Sequence, residues 1–326
     1  MLDIITIGDA VVDTHVFIDH ASVECDLDKT SCRLCLDYAA KIPITDSFQS
    51  VGGNAANVAI NSSRLGLDVA MSTLLGKDAN GKLVIQTLKK AGVVTGLIKT
   101  DKTTNTRYAV ILNFKGERTI LSYHAPRKYT WSDLPACRLV YYTSLSPGFE
   151  PVQTGLTNYL FKHPSVKLAF NPGSFQIQSA LPQVLEMISK TDILILNREE
   201  AEVILNTTNK KTKGVENMAN KLLALGTKEV VITDASLGAY ASDGENTWYM
   251  PSYPVPVVSK TGAGDAFSSG YITSRLEDHD IATALRYGVA ASCIVIQSTG
   301  SNRGIENDTD LDKLIAEHHD LHPVRV

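Results

Sequence analysis

A carboxylate sits among three small residues in the run Gly262-Ala263-Gly264-Asp265, directly ahead of an apolar stretch with helical character. Two glycines without Cβ atoms let the backbone turn sharply and approach a ligand closely. The first amides of the helix that follows have no intrahelical partner, and with the helix dipole they favour an anion there. Asp265 then stands where a carboxylate can take a proton from a nucleophilic hydroxyl. An anion cradle beside a base is the minimum apparatus for phosphoryl transfer to an alcohol. The plainer reading is a turn with Asp265 as an N-cap, and this motif alone does not exclude it.

A second glycine motif gives it weight. Gly52, Gly53 and Asn54 precede a helix made tight by the small residues Ala55, Ala56 and Ala59. Alanines there suit close packing against a sheet, but packing does not explain the Gly-Gly-Asn cluster. The Gly53 amide and the Asn57 side chain are candidates for contact with a polyhydroxylated molecule. Gly76 to Lys82 has the Gly-x4-Gly-Lys spacing of a P-loop, yet Leu83 stands where that motif needs Ser or Thr for Mg²⁺. No Gly-x-Gly-x-x-Gly follows the first strand, so dinucleotide binding has no support.

These motifs need a frame. Leu2–Ile7 reads as a buried strand. Helical spacing over Ala55–Leu65 stops at Gly66, and Lys82–Ala91 is closed by Gly92. Val69–Leu75 and the segments near Leu139–Thr143, Val166–Asn171, Ile193–Leu196 and Val230–Thr233 read as strands. Helices are expected near Gln153–Phe161, Ala180–Ser189 and Val215–Leu225. Strand-then-helix repetition predicts an α/β fold with a mostly parallel, doubly wound sheet covered on both faces. Two stretches break the rhythm, about 13–50 and 105–124. The second contains an alternating hairpin, Arg107 to Tyr123, that turns at Asn113–Gly116. Both are read as a small antiparallel lid sheet within a single domain spanning 1–326.

The bulk properties set limits. The 326 residues are 44% hydrophobic and 20% charged, with a net charge of −4. That balance, and a pI near 6.1, argue against a nucleic-acid binder. No apolar run reaches transmembrane length, and the N-terminus lacks the pattern of a signal peptide, so a cytoplasmic protein is expected. Five cysteines, an odd number, argue against a disulfide framework. Cys25, Cys32 and Cys35 are read as reduced thiols, with a metal site as the alternative and His20, Asp26 or Asp28 as its fourth ligand. His318, His319 and His322 are read as solvated.

Gly52-Gly53-x3-Asn57 and Gly262-Ala263-Gly264-Asp265, in that order, resemble the ribokinase (PfkB carbohydrate kinase) family. Gly8-x4-Asp13, Gly76-Lys77-Asp78-x2-Gly81, Asn197-x2-Glu200 and Thr233-x4-Gly238 extend the resemblance over about residues 3 to 305. It implies a ribokinase-like fold and an ATP-dependent kinase. In that family's terms Asp265 looks like the base, and Gly262, Ala263 and Gly264 like the anion hole. Asp13, Gly53 and Asn57 look like contacts to the acceptor hydroxyls. Asn197 and Glu200 resemble the pair that organises Mg²⁺, its waters and the phosphates, with an N-terminal helix-capping pair as the plainer reading. Thr233 to Gly238 resembles the nucleotide loop.

There are departures. Ser259-Lys260-Thr261 replaces the family's Asp-Thr-Thr, which removes a charge from its monovalent-cation site and argues against K⁺ activation; Lys260 is a candidate cation in its place. Ala235 stands in the nucleotide loop where glycine is usual, and Asn54 where ribokinase itself carries lysine. The resemblance also implies a homodimer formed through the lid. A nucleoside kinase on the same scaffold is the alternative, with Phe17, Tyr38, Phe48 and Tyr123 as candidates for a base pocket. A sugar-binding regulator without catalysis is opposed by the retained Asp265, Gly262 and Gly264.

Overall fold

The run Leu2–Ile7 forms a strand whose interior is buried on both faces. Ile4 packs with one group of helices and Ile5 with the other, because successive strand residues point to opposite sides. The structure, a computed structural model, describes residues 1–26, 32–123, 126–206 and 214–326. Six parallel strands run in the spatial order Val69–Ser72, Leu2–Ile7, Cys137–Tyr142, Lys167–Phe170, Ile193–Asn197 and Glu229–Thr233. Ala239–Ser242, Thr247–Met250 and Val324–Arg325 extend the sheet with antiparallel strands.

One core lies under helices Asn54–Arg64, Ala79–Lys90, Ala263–Leu276, Ile281–Val295 and Thr309–Glu317. The other lies under Glu150–Lys162, Ser174–Ser179, Leu181–Ile188, Arg198–Ile204 and Val215–Leu223. Among the described residues no helix is long and apolar enough to cross a membrane.

The expected alternation holds, with local differences. The stretch Val69–Leu75 is two strands broken at Thr73, and the second, Leu74–Gly76, pairs with Lys99–Asp101 instead of the main sheet. The helix expected from Lys82 begins at Ala79, because Asp78 caps it by accepting from the Gly81 amide at 2.7 Å. Helix Ile281–Val295 had no periodic signature, being apolar on most of its sides.

A second, four-stranded sheet has the order Glu117–Tyr123, Arg107–Phe114, Val11–Ile18 and Ile44–Gly52. Its outer pairs are antiparallel and its middle pair, Val11–Ile18 with Arg107–Phe114, is parallel. The hairpin turns at Lys115 and Gly116, both at positive φ (50° and 81°), the geometry that matches strand twist in a two-residue loop. Two carboxylates root this sheet in the main body. Buried Asp9 pairs with Arg107 at 2.6 Å and accepts from Ser146 Oγ at 2.9 Å. Asp78 accepts from the Thr106 amide at 2.7 Å and its hydroxyl at 2.8 Å. The apparent P-loop is thus a helix cap that also fastens the root of a strand.

The cysteines require a correction. Cys25 and Cys32 stand directly opposite each other on the ribbon Ser22–Cys25 and Cys32–Cys35, with Cα atoms 4.0 Å apart, and form a disulfide. Antiparallel pairing brings the two sulfurs together irrespective of the total cysteine count. Cys35 is free and half-buried, while Cys137 and Cys293 are free and buried. Among the described residues no cluster of three His, Cys, Asp or Glu side chains could hold a metal; Asp28, one candidate ligand, lies outside them.

Because Asp78 serves both a helix and a strand root, Asp78→Ala is expected to lower stability by about 1–2 kcal/mol, the usual cost of losing an N-cap. Urea unfolding monitored by circular dichroism measures this. An unchanged midpoint would show that neither anchor matters.

Candidate active site

Three consecutive parallel strands end at one edge in polar residues. Asn171 follows Lys167–Phe170, Asn197 closes Ile193–Asn197, and Thr233 closes Glu229–Thr233 in register with Asn197. Ligands of open α/β sheets sit at this carboxyl edge. Across the edge, the helix Ala263–Leu276 points its N-terminus at the same space. The cleft between them is bordered by Asn197, Glu200, Thr233, Lys260, Gly262–Asp265 and Ser268.

Gly262 caps that helix in the left-handed conformation, φ 82°. A Cβ there would come within 2.0 Å of the Ser301 carbonyl oxygen, so only glycine fits. At Gly264 a Cβ would meet nothing within 4 Å, so the cleft is open against its backbone. The helix lies close to Ile281–Val295 because small residues face the contact: a Cβ on Gly270 would be 2.6 Å from the Tyr287 carbonyl oxygen.

Asp265 is only 9% exposed. Burial pushes its carboxyl up to about 6, opposed by one hydrogen bond. That bond comes from Asn57 Nδ2, which donates to Asp265 Oδ2 at 2.7 Å. Asn57 is itself fixed, since Ser301 Oγ and Asn302 Nδ2 donate to its Oδ1 at 3.0 and 3.1 Å. Arg64 in turn donates to the carbonyl oxygens of Asn302 and Ile305. A Cβ on Gly52 would lie 2.5 Å from Asp13 Oδ2 and 3.3 Å from Ser301 Oγ. The absent side chain therefore lets Asp13 approach the same network. Burial pushes Asp13 up to about 6, against the pull of Arg107 and Arg118. Gly53, φ 93°, caps Asn54–Arg64 and packs on the backbone of Asp9 and Ala10.

Asn197 and Glu200 form a reciprocal capping box, with bonds of 2.8 and 3.0 Å. The plainer reading is thus realised, but the pair also borders the cleft. Burial pushes Glu200 up to about 7; the Asn197 amide pulls it down, and Glu199 and Asp265 repel its charge. A cation in the cleft would relieve that repulsion. One carboxylate among amide and hydroxyl oxygens fits Mg²⁺, which prefers oxygen ligands, keeps several waters and shares phosphate oxygens.

Thr233 reaches the cleft, whereas Gly238 lies at the far end of the turn that leads into Ala239–Ser242. Gly238 has φ 109°, and a Cβ there would strike the Met250 carbonyl oxygen at 2.1 Å. Ala235 also has positive φ, 47°, which explains why glycine is the easier residue there. Asp234 pairs with Arg198 at 2.8 Å across the turn. Ser301 and Asn302 carried no sequence signal beyond a polar loop after an apolar helix. Asp9 and Asn171 follow strands and Ser268 lies in the second turn of its helix, single polar residues that spacing alone does not distinguish.

Of the residues proposed for a base pocket, Tyr38 is fully exposed and Tyr123 stacks on Tyr108, 5.1 Å between ring centres. Phe48 stacks on His15 at 4.4 Å. Phe17 borders a separate cavity beneath the small sheet.

Residues 13–308 match the family described as pfkB family carbohydrate kinase. The chain is 28% identical over 312 residues to a 5-dehydro-2-deoxygluconokinase of Geobacillus kaustophilus, covering 88% of this chain and 92% of that one. Its fold matches the Arabidopsis thaliana ribokinase complexed with ribose and ATP (TM-score 0.80, 20% identity, 96% of this chain and 98% of that one). It also matches the Methanocaldococcus jannaschii nucleoside kinase (TM-score 0.77, 17% identity, 98% and 99%). The chain belongs to the pfkB carbohydrate kinase family and has the ribokinase-like fold.

A carboxyl whose folded pKa is raised destabilises the folded state once it ionises. The penalty is absent below the unfolded value of 3.8, grows as pH rises, and is complete above about 6. Asp265→Asn is therefore expected to stabilise the protein at pH 8, by on the order of 2–3 kcal/mol, with the gain disappearing near pH 4. Thermal unfolding of both forms across that range checks the sign. A variant that is less stable at pH 8 contradicts the burial argument.

Proposed function

We propose that this kinase transfers the γ-phosphoryl group of Mg·ATP to a primary hydroxyl of a small sugar or sugar derivative. The observation that carries the reading is Asp265, buried in the first turn of a helix whose N-terminus opens on the cleft. Asp265 accepts the hydroxyl proton as the oxygen attacks phosphorus in line. Backbone amides of Gly262, Ala263 and Gly264 face the charge that spreads over the transferring group. Asn57 holds the base in place, and Asp13 with Gly53 orients the acceptor hydroxyls. Glu200 and Asn197 would hold Mg²⁺, and Thr233 with the turn to Gly238 would hold the nucleotide. Mg²⁺ supplies charge neutralisation for the phosphates.

The small sheet acts as the lid. Arg118 on its edge strand donates to Thr261 Oγ1 and, at 3.4 Å, to Ser259 Oγ, directly ahead of the anion hole. That contact closes the acceptor space over Asp265 and keeps water from the phosphoryl group. It also sets a fixed cation beside the position where Ser259 replaces the family's aspartate, which supports independence from K⁺. The outer face of the sheet exposes Tyr108 and Leu121, apolar surface suited to a homodimer. A nucleoside acceptor stays the second reading: Tyr38 is exposed and Tyr123 stacks on Tyr108, while Phe17 borders the cavity beneath the small sheet and Phe48 stacks on His15 there. The relatives' names support both acceptor classes, a sugar acid and ribose among sugars and a nucleoside in the third.

Mg·ATP-dependent ADP release is to be measured with pentoses, hexoses, keto-deoxy sugar acids and nucleosides, with and without K⁺. The expected result is turnover that follows one sugar-type acceptor, ignores K⁺, and falls by about 10²–10⁴ in Asp265→Asn. Strong K⁺ activation would overturn the cation argument, and unchanged turnover in the variant would overturn the assignment of the base.

A further inference from the structure

Two departures from the family pattern fall on one cleft. Asn54 stands where ribokinase itself carries lysine, and Lys260 stands where the family carries threonine. Both border the space over Asp265, Asn54 from the start of helix Asn54–Arg64 and Lys260 from the segment ahead of Gly262. An ammonium group is thus absent from one element and supplied from another. Among the described residues that border the cleft Lys260 is the one cation, whereas Glu200 and Asp265 each bring a carboxylate. A pair of carboxylates is a poor wall for a triphosphate unless positive charge offsets it.

The local structure puts Lys260 within reach. The Ala263 amide donates to the Lys260 carbonyl oxygen at 3.5 Å, a turn that folds Lys260 back beside the first residue of helix Ala263–Leu276. The space against Gly264 is open, and a flexible lysine stem can carry its ammonium there. Lys260 is exposed, and among the described residues its side chain enters no ion pair or hydrogen bond. The surrounding charges choose its side. Lys260 also borders the cavity beneath the small sheet. There Arg118 bonds to the hydroxyls of Ser259 and Thr261, the neighbours of Lys260 in sequence, and repels a second cation. The carboxylates of that cavity, Asp19 and Glu117, are exposed, so water and salt screen their pull. Asp265 is buried and Glu200 half-buried, and they attract the ammonium with less screening.

We propose that Lys260 is a further catalytic residue, whose ammonium binds the γ-phosphoryl group of the nucleotide over Gly264 and neutralises its charge during transfer. It donates hydrogen bonds to phosphate oxygens and takes no proton in the step, which stays with Asp265. This role depends on the kinase reading above.

Nucleotide binding tests the role without an acceptor. Isothermal titration with Mg²⁺ compares β,γ-imido-ATP, which carries the γ-phosphoryl group, with ADP, which lacks it. Lys260→Met is expected to lower the imido-ATP-to-ADP affinity ratio by about tenfold or more, at an unchanged melting temperature, and Lys260→Arg to keep most of it. Asn54→Lys added to Lys260→Met is expected to restore part of the ratio, because it returns a cation to the same cleft from another element. A purely structural role for Lys260 would gain nothing from that second change. With the sugar that the wild type turns over, Lys260→Met is expected to lower kcat by about 10²–10³ and to leave the acceptor KM unchanged. A ratio that Lys260→Met does not move overturns the contact, and a raised acceptor KM beside it assigns the ammonium to the cavity beneath the small sheet. Both outcomes leave the phosphotransferase standing. Wild-type protein that binds neither nucleotide overturns the kinase reading, and the role of Lys260 with it.

Discussion

The structure is organised around a carboxylate that water would solvate better than the protein does. Asp265 is buried with one hydrogen bond to its side chain, from Asn57. A charged group in that position is tolerated only when its surroundings are held rigidly and an approaching partner completes them. The molecule spends considerable order on this. Asn57 is fixed by Ser301 and Asn302, and Asn302 is held through its carbonyl oxygen by Arg64. Two distant stretches of chain, Asp265 and Ser301-Asn302, thus converge on one amide, whose orientation is fixed against the Asp265 carboxylate.

The main sheet supplies the second requirement, which is alignment. Parallel strands in consecutive register bring Asn197 and Thr233 level with each other, and Asn171 follows the neighbouring strand. Phosphoryl transfer asks the protein mainly for positioning and charge neutralisation. A row of polar strand ends facing a helix N-terminus provides both from rigid elements. The glycines divide the work: Gly262 is required because the Ser301 backbone occupies the place of its side chain, and Gly264 leaves room where the cleft must stay open.

Much of this was legible in the sequence because it follows from local rules. Glycine stops, strand-length apolar runs and the hairpin turn at Lys115-Gly116 each depend on a few neighbouring residues, and those elements appear where their patterns lie. The order of the glycine motifs carried the fold and the position of the cleft. What could not be read depends on long-range geometry. The Cys25–Cys32 pairing comes from strand register, which no count of cysteines encodes. The double service of Asp78, as cap and as anchor for Thr106, needs two segments that meet only in space. Ser301 and Asn302 belong to a loop with no pattern, and their importance lies wholly in which side chain they orient.

Arg107 and Arg118 show how one residue type can serve two purposes on one face of one sheet. Arg107 stands at the root of its strand, within reach of buried Asp9, and a buried pair of that kind fixes where the strand leaves the main body. Arg118 stands on the edge strand, where Tyr108 pairs with Tyr123 at one end and the hairpin closes the other. Among the described residues it finds only hydroxyls, and those belong to the segment just ahead of Gly262. An arginine neutralised by a carboxylate holds structure, whereas one left with hydroxyl partners keeps most of its charge available. The same distinction applies to Asp13, which approaches the Asn57 network through the space left by Gly52 and, among the described residues, feels the charges of Arg107 and Arg118 without forming an ion pair. Among the described residues the cleft face of the small sheet therefore keeps one carboxylate, Asp13, and one guanidinium, Arg118, outside any ion pair, the carboxylate beside the Asn57 network and the guanidinium over the segment ahead of Gly262.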